Sequence, residues 1–274
     1  MILSEVEQKR IQAIELDLFH EFVTICEELG VRYYIIGGTL LGAVRHKGFI
    51  PWDDDIDVGM HREDYSRFVK YAGSMLPEGL FLQTHNSDKE YHSNAAKIRN
   101  SNTTYIESCV NKSRINHGVF IDIFPLDNYP VGKMKEAVFC AKKRIISLRI
   151  NSVFQNMHYG GMKKIVQKGL RLIYPTLYSA VNAREKLYLS VPQTGLIVNH
   201  SGAWGNKEII PTEWYAEGCQ LEFEGMRVTA PKEYEKWLNQ VYGDYMKLPP
   251  QEKRVTHHIT DVIDFENPYT MYFN

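Results

Sequence analysis

Apolar residues recur at steps of three and four from Ile11 through Ile14, Leu18, Phe22 and Ile25 to Leu29, the spacing that lines one face of an α-helix. Ser4 and Glu7 form a capping box ahead of this stripe and Gly30 follows it, so an amphipathic helix is expected to run to about Leu29. The β-branched and aromatic run Val31-Arg32-Tyr33-Tyr34-Ile35-Ile36 predicts a strand directly afterwards. Gly37-Gly38 interrupts it, and Thr39 to Arg45 reads as a short helix. A turn at Gly48 and Pro51 leads to a second short strand, Ile56-Asp57-Val58, and then to a helix from Glu63 to Tyr71. Leu80–Thr84, Ala95–Arg99 and Val119–Phe124 carry further strand patterns, a basic helical block begins after Pro130, and a last helix is expected near Lys232–Val241.

Carboxylates interrupt this pattern where a core is expected. If Pro51-Trp52-Asp53-Asp54-Asp55-Ile56-Asp57-Val58 is a strand, Asp53, Asp55 and Asp57 share one face while Ile56 and Val58 point inward. Crowded like charges repel unless a divalent cation sits between them, its oxygen ligands at ~2.0–2.1 Å for Mg²⁺. Taken alone, the run also suits a solvated acidic loop. In Val119-Phe120-Ile121-Asp122-Ile123-Phe124 a single acid stands in an otherwise apolar strand. Isolated, it would lose its charge on burial; beside a metal it stays ionised, and a structural hydrogen bond is the plainer alternative. Two strands that bring Asp55, Asp57 and Asp122 together would make a three-carboxylate metal site.

Gly37-Gly38-Thr39, between strand and helix, would let backbone N–H groups approach a phosphate at a helix start. The order strand, Gly-Gly, short helix, paired carboxylates describes a polymerase-β-like nucleotidyltransferase core, where metal ions clamp a phosphate chain. The expected fold class is therefore α+β. A small mixed sheet flanked by helices would occupy residues 1–130, a basic helical insertion 131–192, and a C-terminal α/β extension completing the site 193–274. Arg45, Lys47, Lys97 and Arg99 are candidates to neutralise phosphates, each with a salt-bridge role as the alternative. His117 precedes the Asp122 strand and could relay a proton or serve structurally. His257-His258 lacks the Cys or His spacing of a zinc site. Trp52, Trp204 and Trp214 could cage a quaternary ammonium, although most of the 17 Tyr, 12 Phe and 4 Trp should be core.

Composition changes the picture mainly through charge. The 274 residues are 44% hydrophobic and 24% charged, an ordinary globular balance that excludes disordered and collagen-like chains. The net charge of -1 conceals a block from Val131 to Ser190 with twelve basic residues against Glu136 and Glu185, which leaves the rest of the chain acidic. Such a block suits basic helices lying on an anionic membrane, or equally a solvated face packed on the acidic half of its own domain. Cys26, Cys109, Cys140 and Cys219 form no C-x-x-C pair and are expected to be reduced and buried. The first residues lack the basic flank and apolar stretch of a secretory signal, and no window nears ~18 uninterrupted apolar residues, so a cytoplasmic chain is expected.

The run from Gly38 to Asp57, with Arg45-His46-Lys47-Gly48-Phe49-Ile50-Pro51-Trp52 leading into the acids, closely resembles the LicD family, to which the catalytic domains of fukutin and fukutin-related protein are also similar. So does Gly118-Val119-Phe120-Ile121-Asp122-Ile123-Phe124-Pro125-Leu126-Asp127. Phe223-Glu224-Gly225, Pro231, Tyr242-Gly243-Asp244 and Leu248-Pro249-Pro250 extend the likeness to about His258. The resemblance implies a transferase that moves a phospho-alcohol, phosphocholine above all, from a CDP-activated donor to a hydroxyl of a cell-surface glycan precursor such as teichoic acid, lipopolysaccharide or capsule. Relatives handle ribitol phosphate or glycerol phosphate. Carried onto this chain, Asp55 and Asp57 would hold one or two Mg²⁺ or Mn²⁺ ions, and Asp122 would complete the metal site or deprotonate the acceptor. Asp53 and Asp54 would tune the field or brace the loop. The implied acceptor is polyprenyl-pyrophosphate-linked, with peripheral contact at the inner membrane face and no nucleic acid. The rivals are a nucleotidyltransferase that adds NMP from an NTP and a catalytically dead adaptor; the retained acids speak against the second.

Overall fold

The computed structural model describes residues 3–154, 162–256 and 258–273. Helix α1 (Glu5–Leu29) is closed by the expected capping box: Ser4 Oγ accepts from Glu7 N–H, and the Glu7 carboxylate accepts from Ser4 N–H. Gly30, at φ 60, ends it in the left-handed conformation. Next come β1 (Tyr34–Ile35), α2 (Gly37–His46), β2 (Asp57–His61), α3 (Arg62–Tyr71), β3 (Leu80–Gln83), β4 (Ala96–Asn100), β5 (Thr104–Glu107) and β6 (Val119–Asn128). Three helices follow, α4 (Lys133–Phe154), α5 (Met162–Ile173) and α6 (Leu177–Leu189). The chain then adds β7 (Leu196–Asn199), β8 (Ile209–Pro211), β9 (Cys219–Phe223), β10 (Met226–Ala230), α7 (Tyr234–Tyr242) and β11 (Thr260–Asp264).

Seven strands form one mixed sheet in the order β1-β2-β6-β4-β3, with β7 joining the distal half of β6 and β8 joining β7. The β2–β6 pair is parallel and the other pairs are antiparallel. Two small antiparallel pairs, β9–β10 and β5–β11, complete the α+β architecture. The buried stripe of α1 packs across β4 and β6. One core joins Phe19 and Phe22 of α1, Val58 and Met60 of β2, Ile121 and Ile123 of β6, and Phe223, Val228 and Trp237 from the last quarter of the chain. The stretch after residue 193 thus shares both sheet and core with the first 130 residues.

The three basic helices leave from the end of β6 and return to β7, its antiparallel neighbour, so they form an excursion between paired strands. They carry small apolar clusters of their own, around Ile146, Ile150 and Val181 and around Phe139 and Tyr188. Arg62 clamps this excursion to the sheet, with Nε and Nη2 each 2.6 Å from the Asp127 carboxylate and Nη1 3.3 Å from Glu185 on α6. Among the described residues no helix is long and apolar enough to cross a membrane.

Several expectations need correction. The first strand holds only Tyr34–Ile35, and α2 starts at the glycine pair rather than at Thr39. Strand β2 begins at Asp57, so Asp53, Asp55 and Asp57 do not alternate along one strand. The reason is pairing: β2 meets β6 only from Asp57↔Asp122 onward, and the chain before it is held by turns such as Asp53 N–H to Ile50 C=O at 2.9 Å. All four cysteines are free, yet only Cys26 is buried; Cys109 and Cys140 are exposed, the latter on the outer side of α4.

Candidate active site

Register brings the key charges together. Asp57 on β2 lies opposite Asp122 on β6, and Asp122 lies opposite Lys97 on β4, so three charged residues form a row across adjacent strands. Lys97 Nζ donates to Asp122 Oδ2 at 2.8 Å and stands 3.2 Å from the Phe120 ring centroid. Thr39 Oγ1 accepts the Asp57 N–H at 2.8 Å, and Ile36 N–H donates to Asp57 C=O at 3.1 Å, fixing where β2 starts relative to α2. Gly37 is at φ 57, and a Cβ there would stand 2.5 Å from Asp57 Oδ2; one on Gly38 would collide with the Asp53 carboxylate. The glycine pair therefore makes room for the protein's own acids on the first turn of α2, where free N–H groups and the helix dipole favour negative charge.

The acidic loop is braced from both sides. Gln8 and Gln12, one turn apart on α1, each donate to Asp53 C=O at 2.9 Å. Asp53 is buried and shares a side-chain hydrogen bond with Asp55; burial and the Asp55 and Asp54 charges push its carboxyl well above the usual range. Asp54 faces away from the others: it accepts from Tyr105 Oη at 3.1 Å, and its Oδ1 lies 3.4 Å from His258 Nδ1. Burial alone would lower His258, but the Asp54 hydrogen bond and the Asp55 and Glu107 charges lift it to about 9. Asp57 is raised well above the carboxylate range by burial and by Asp55, Asp122 and Asp53. Glu15, buried on α1, is raised in the same way by burial and the same acids.

A cleft of about 600 Å³ opens over these groups. Gly37, Gly38, Asp53, Asp55, Asp57 and Asp122 line its floor, and Arg45 and Trp52 one wall. Trp52 lies beneath two guanidinium groups, Arg45 at 6.0 Å and Arg254 at 5.3 Å from its ring centroid. The opposite wall comes from distant sequence: Asn199, Ser201, Trp204, Glu208, Tyr242 and Tyr245, with Lys247, Lys253 and His258 beside them. Trp204 and Tyr242 meet edge to face at 4.9 Å. Burial lifts the Glu208 carboxyl to about 7 although it accepts from Trp204 N–H at 2.9 Å.

Other expected residues lie elsewhere. Lys47 sits at the far end of α2, exposed and 3.4 Å from Glu222. Arg99 is buried and donates to Gln83 and to Gly118 C=O. His117 is buried near Phe273, its Nε2 3.0 Å from Ser113 C=O, and Trp214 packs against the main core. His257 lies outside the described residues. Sequence reasoning missed Glu15, Glu208, Tyr242 and Tyr245. Tyr242 stood within the family likeness without being assigned to the site, and Glu15 had a local signal, an acid four residues after Ile11 and three before Leu18 on an apolar stripe.

Among the described residues, no three His, Cys, Asp or Glu side chains form a ready-made cation-holding group. The chemistry of the donors would nevertheless suit a hard divalent ion: Asp55, Asp57 and Asp122 present carboxylate oxygens to one cleft, and mutual repulsion is what a cation would relieve. Mg²⁺ is commonly held by one or two carboxylates, completing its shell with water and substrate phosphates.

The floor row and the glycine-seated acids lie within a segment that a known family model matches. The LicD/FKTN/FKRP nucleotidyltransferase domain matches residues 30–176. Lipopolysaccharide cholinephosphotransferase LicD of Haemophilus influenzae is 35% identical over 263 residues, 93% of this chain and 96% of that protein. Ribitol 5-phosphate transferase FKRP of Homo sapiens and of Mus musculus is 46% identical over 64 residues, 22% of this chain and 13% of each relative. The chain belongs to the LicD family, and its homology to a cholinephosphotransferase over nearly its full length makes it a transferase.

Proposed function

We propose that this protein moves a phospho-alcohol, phosphocholine in the first instance, from a CDP-activated donor to a hydroxyl of a cell-surface glycan precursor such as lipopolysaccharide, teichoic acid or capsule. One observation carries the reading: Asp57 and Asp122 stand side by side in register, on the floor of a cleft that begins at the N-terminus of α2. The donor pyrophosphate would lie against that helix start and Arg45. The choline head would lie toward Trp204 and Tyr242, whose rings suit a quaternary ammonium. Asp55 and Asp57 would hold Mg²⁺ or Mn²⁺, which supplies neutralisation of phosphate charge. The acceptor oxygen attacks the phosphorus that bears the alcohol, the bond to the CMP oxygen breaks, and CMP leaves. Asp122 takes the hydroxyl proton, held in place by the Lys97 bond to its Oδ2. Lys97 thus acts through Asp122, in place of a direct grip on the donor.

CMP release from CDP-choline, CDP-glycerol and CDP-ribitol with Mg²⁺ and lipopolysaccharide as the hydroxyl acceptor tests this, with CDP-choline expected to turn over fastest. Pyrophosphate release from CTP or ATP, with no CMP from any CDP-alcohol, would replace it with an NMP transfer that uses the same acids.

A further inference from the structure

Helix α5 exposes the face that a core helix hides. Ile165, Val166, Gly169, Leu172 and Ile173 share one side at the spacing of an amphipathic stripe. Yet Ile165 is 70% exposed, Leu172 87% and Ile173 66%, and a Cβ built on Gly169 would meet open space. Among the described residues, the helix is held by buried Leu170 and by Gln167, whose Nε2 donates to Leu148 C=O of α4 at 3.1 Å. Helix α4, against which α5 packs, repeats the arrangement. Its Phe139, Ile146 and Ile150 are buried, while Met134, Val138, Ile145 and Leu148, spaced by four, seven and three residues, are exposed.

The charges beside these stripes are mostly basic, the exception being Glu136 at the start of α4, which accepts from Gly132 N–H at 3.1 Å. Lys168 and Arg171 are exposed on α5, whose sequence contains no acid, and Lys142 and Arg144 are exposed on α4. Of the two acids between residues 131 and 190, Glu185 is turned inward onto Arg62 and His85. We infer that the exposed faces of α4 and α5 are a docking surface for an anionic phospholipid bilayer, with the aliphatic side chains in the headgroup boundary and Lys and Arg reaching back to lipid phosphates. Helices with this combination bind membranes by apolar burial plus attraction to anionic lipid. A second copy of the chain would bring like charges face to face. A nucleic acid would find aliphatic side chains where it needs polar ones. The inference is independent of the transfer chemistry.

Vesicle sedimentation of the full chain tests it, with phosphatidylcholine alone or mixed with phosphatidylglycerol, at low and high salt. Expected are binding to the anionic vesicles only, loss of binding as salt rises, and a bound fraction lowered by about tenfold in a Leu172→Glu/Ile173→Glu variant that keeps the wild-type Tm. Absence of binding at low salt would overturn the inference, as would undiminished binding of the variant. A wild-type dimer in sedimentation equilibrium that the same variant dissolves would assign the face to self-association instead. Because CMP release is read in solution without vesicles, failure of either proposal leaves the other standing.

Discussion

Replacing Asp57 with Asn keeps the shape of the side chain and removes one of four carboxylates on the cleft floor. Because burial and its neighbours already resist that charge, the variant is expected to melt no lower than wild type. CMP release should fall by at least ~10²-fold, and the Mg²⁺-induced rise in Tm should disappear. Gly37→Ala should do the reverse and harm the fold first. Left-handed backbone costs a residue with a Cβ ~1–2 kcal/mol, and that carbon would displace Asp57; urea unfolding would read the loss. Trp204→Ala should weaken CDP-choline binding more than CDP-glycerol binding, since only choline presents a cation to the ring. Asp122 stood out in the sequence because a charge inside an apolar run violates its own pattern, and Asp57 because it closes a run of crowded acids that lead into a strand. Glu208, Tyr242 and Tyr245 did not, because they reach the cleft from loops and helix ends whose local spacing says nothing about where they fold.

Among the elements, the C-terminal segment that leads into β11 locks the acidic loop through His258. Its folded pKa of about 9 lies above the ordinary 6.5, so the stability it confers is complete below pH 6.5 and is lost as pH rises through 9. The loss is at most about 3 kcal/mol, the size of that shift. Thermal melts from pH 6 to 10 should show a declining limb in wild type that His258→Gln flattens. Long periodic elements such as α1 and the apolar start of β6 could be read directly. The strands β5, β7 and β11 could not: they are four or five residues long and exist through partners far along the chain, Thr104 with Asp264 or Leu126 with Asn199. The start of β2 was misplaced for the same reason, since β6, and not the local pattern, decides where pairing begins.

For the molecule as a whole, one core spans both ends of the chain, so a fragment ending at residue 192 loses Phe223, Val228 and Trp237 from the same cluster that holds Phe19 and Ile123. It is expected to show no cooperative melting of that core, whereas the full chain should lose near-ultraviolet circular dichroism in a single transition. Strand β6 makes this unity mechanical. Its first half sets Asp122 between β2 and β4, and its second half holds Asp127 against Arg62 and pairs with β7. One rigid rod therefore answers to two masters, and exchanging residues 193–211 for those of a relative should misalign Asp122 unless β6 is exchanged along with them.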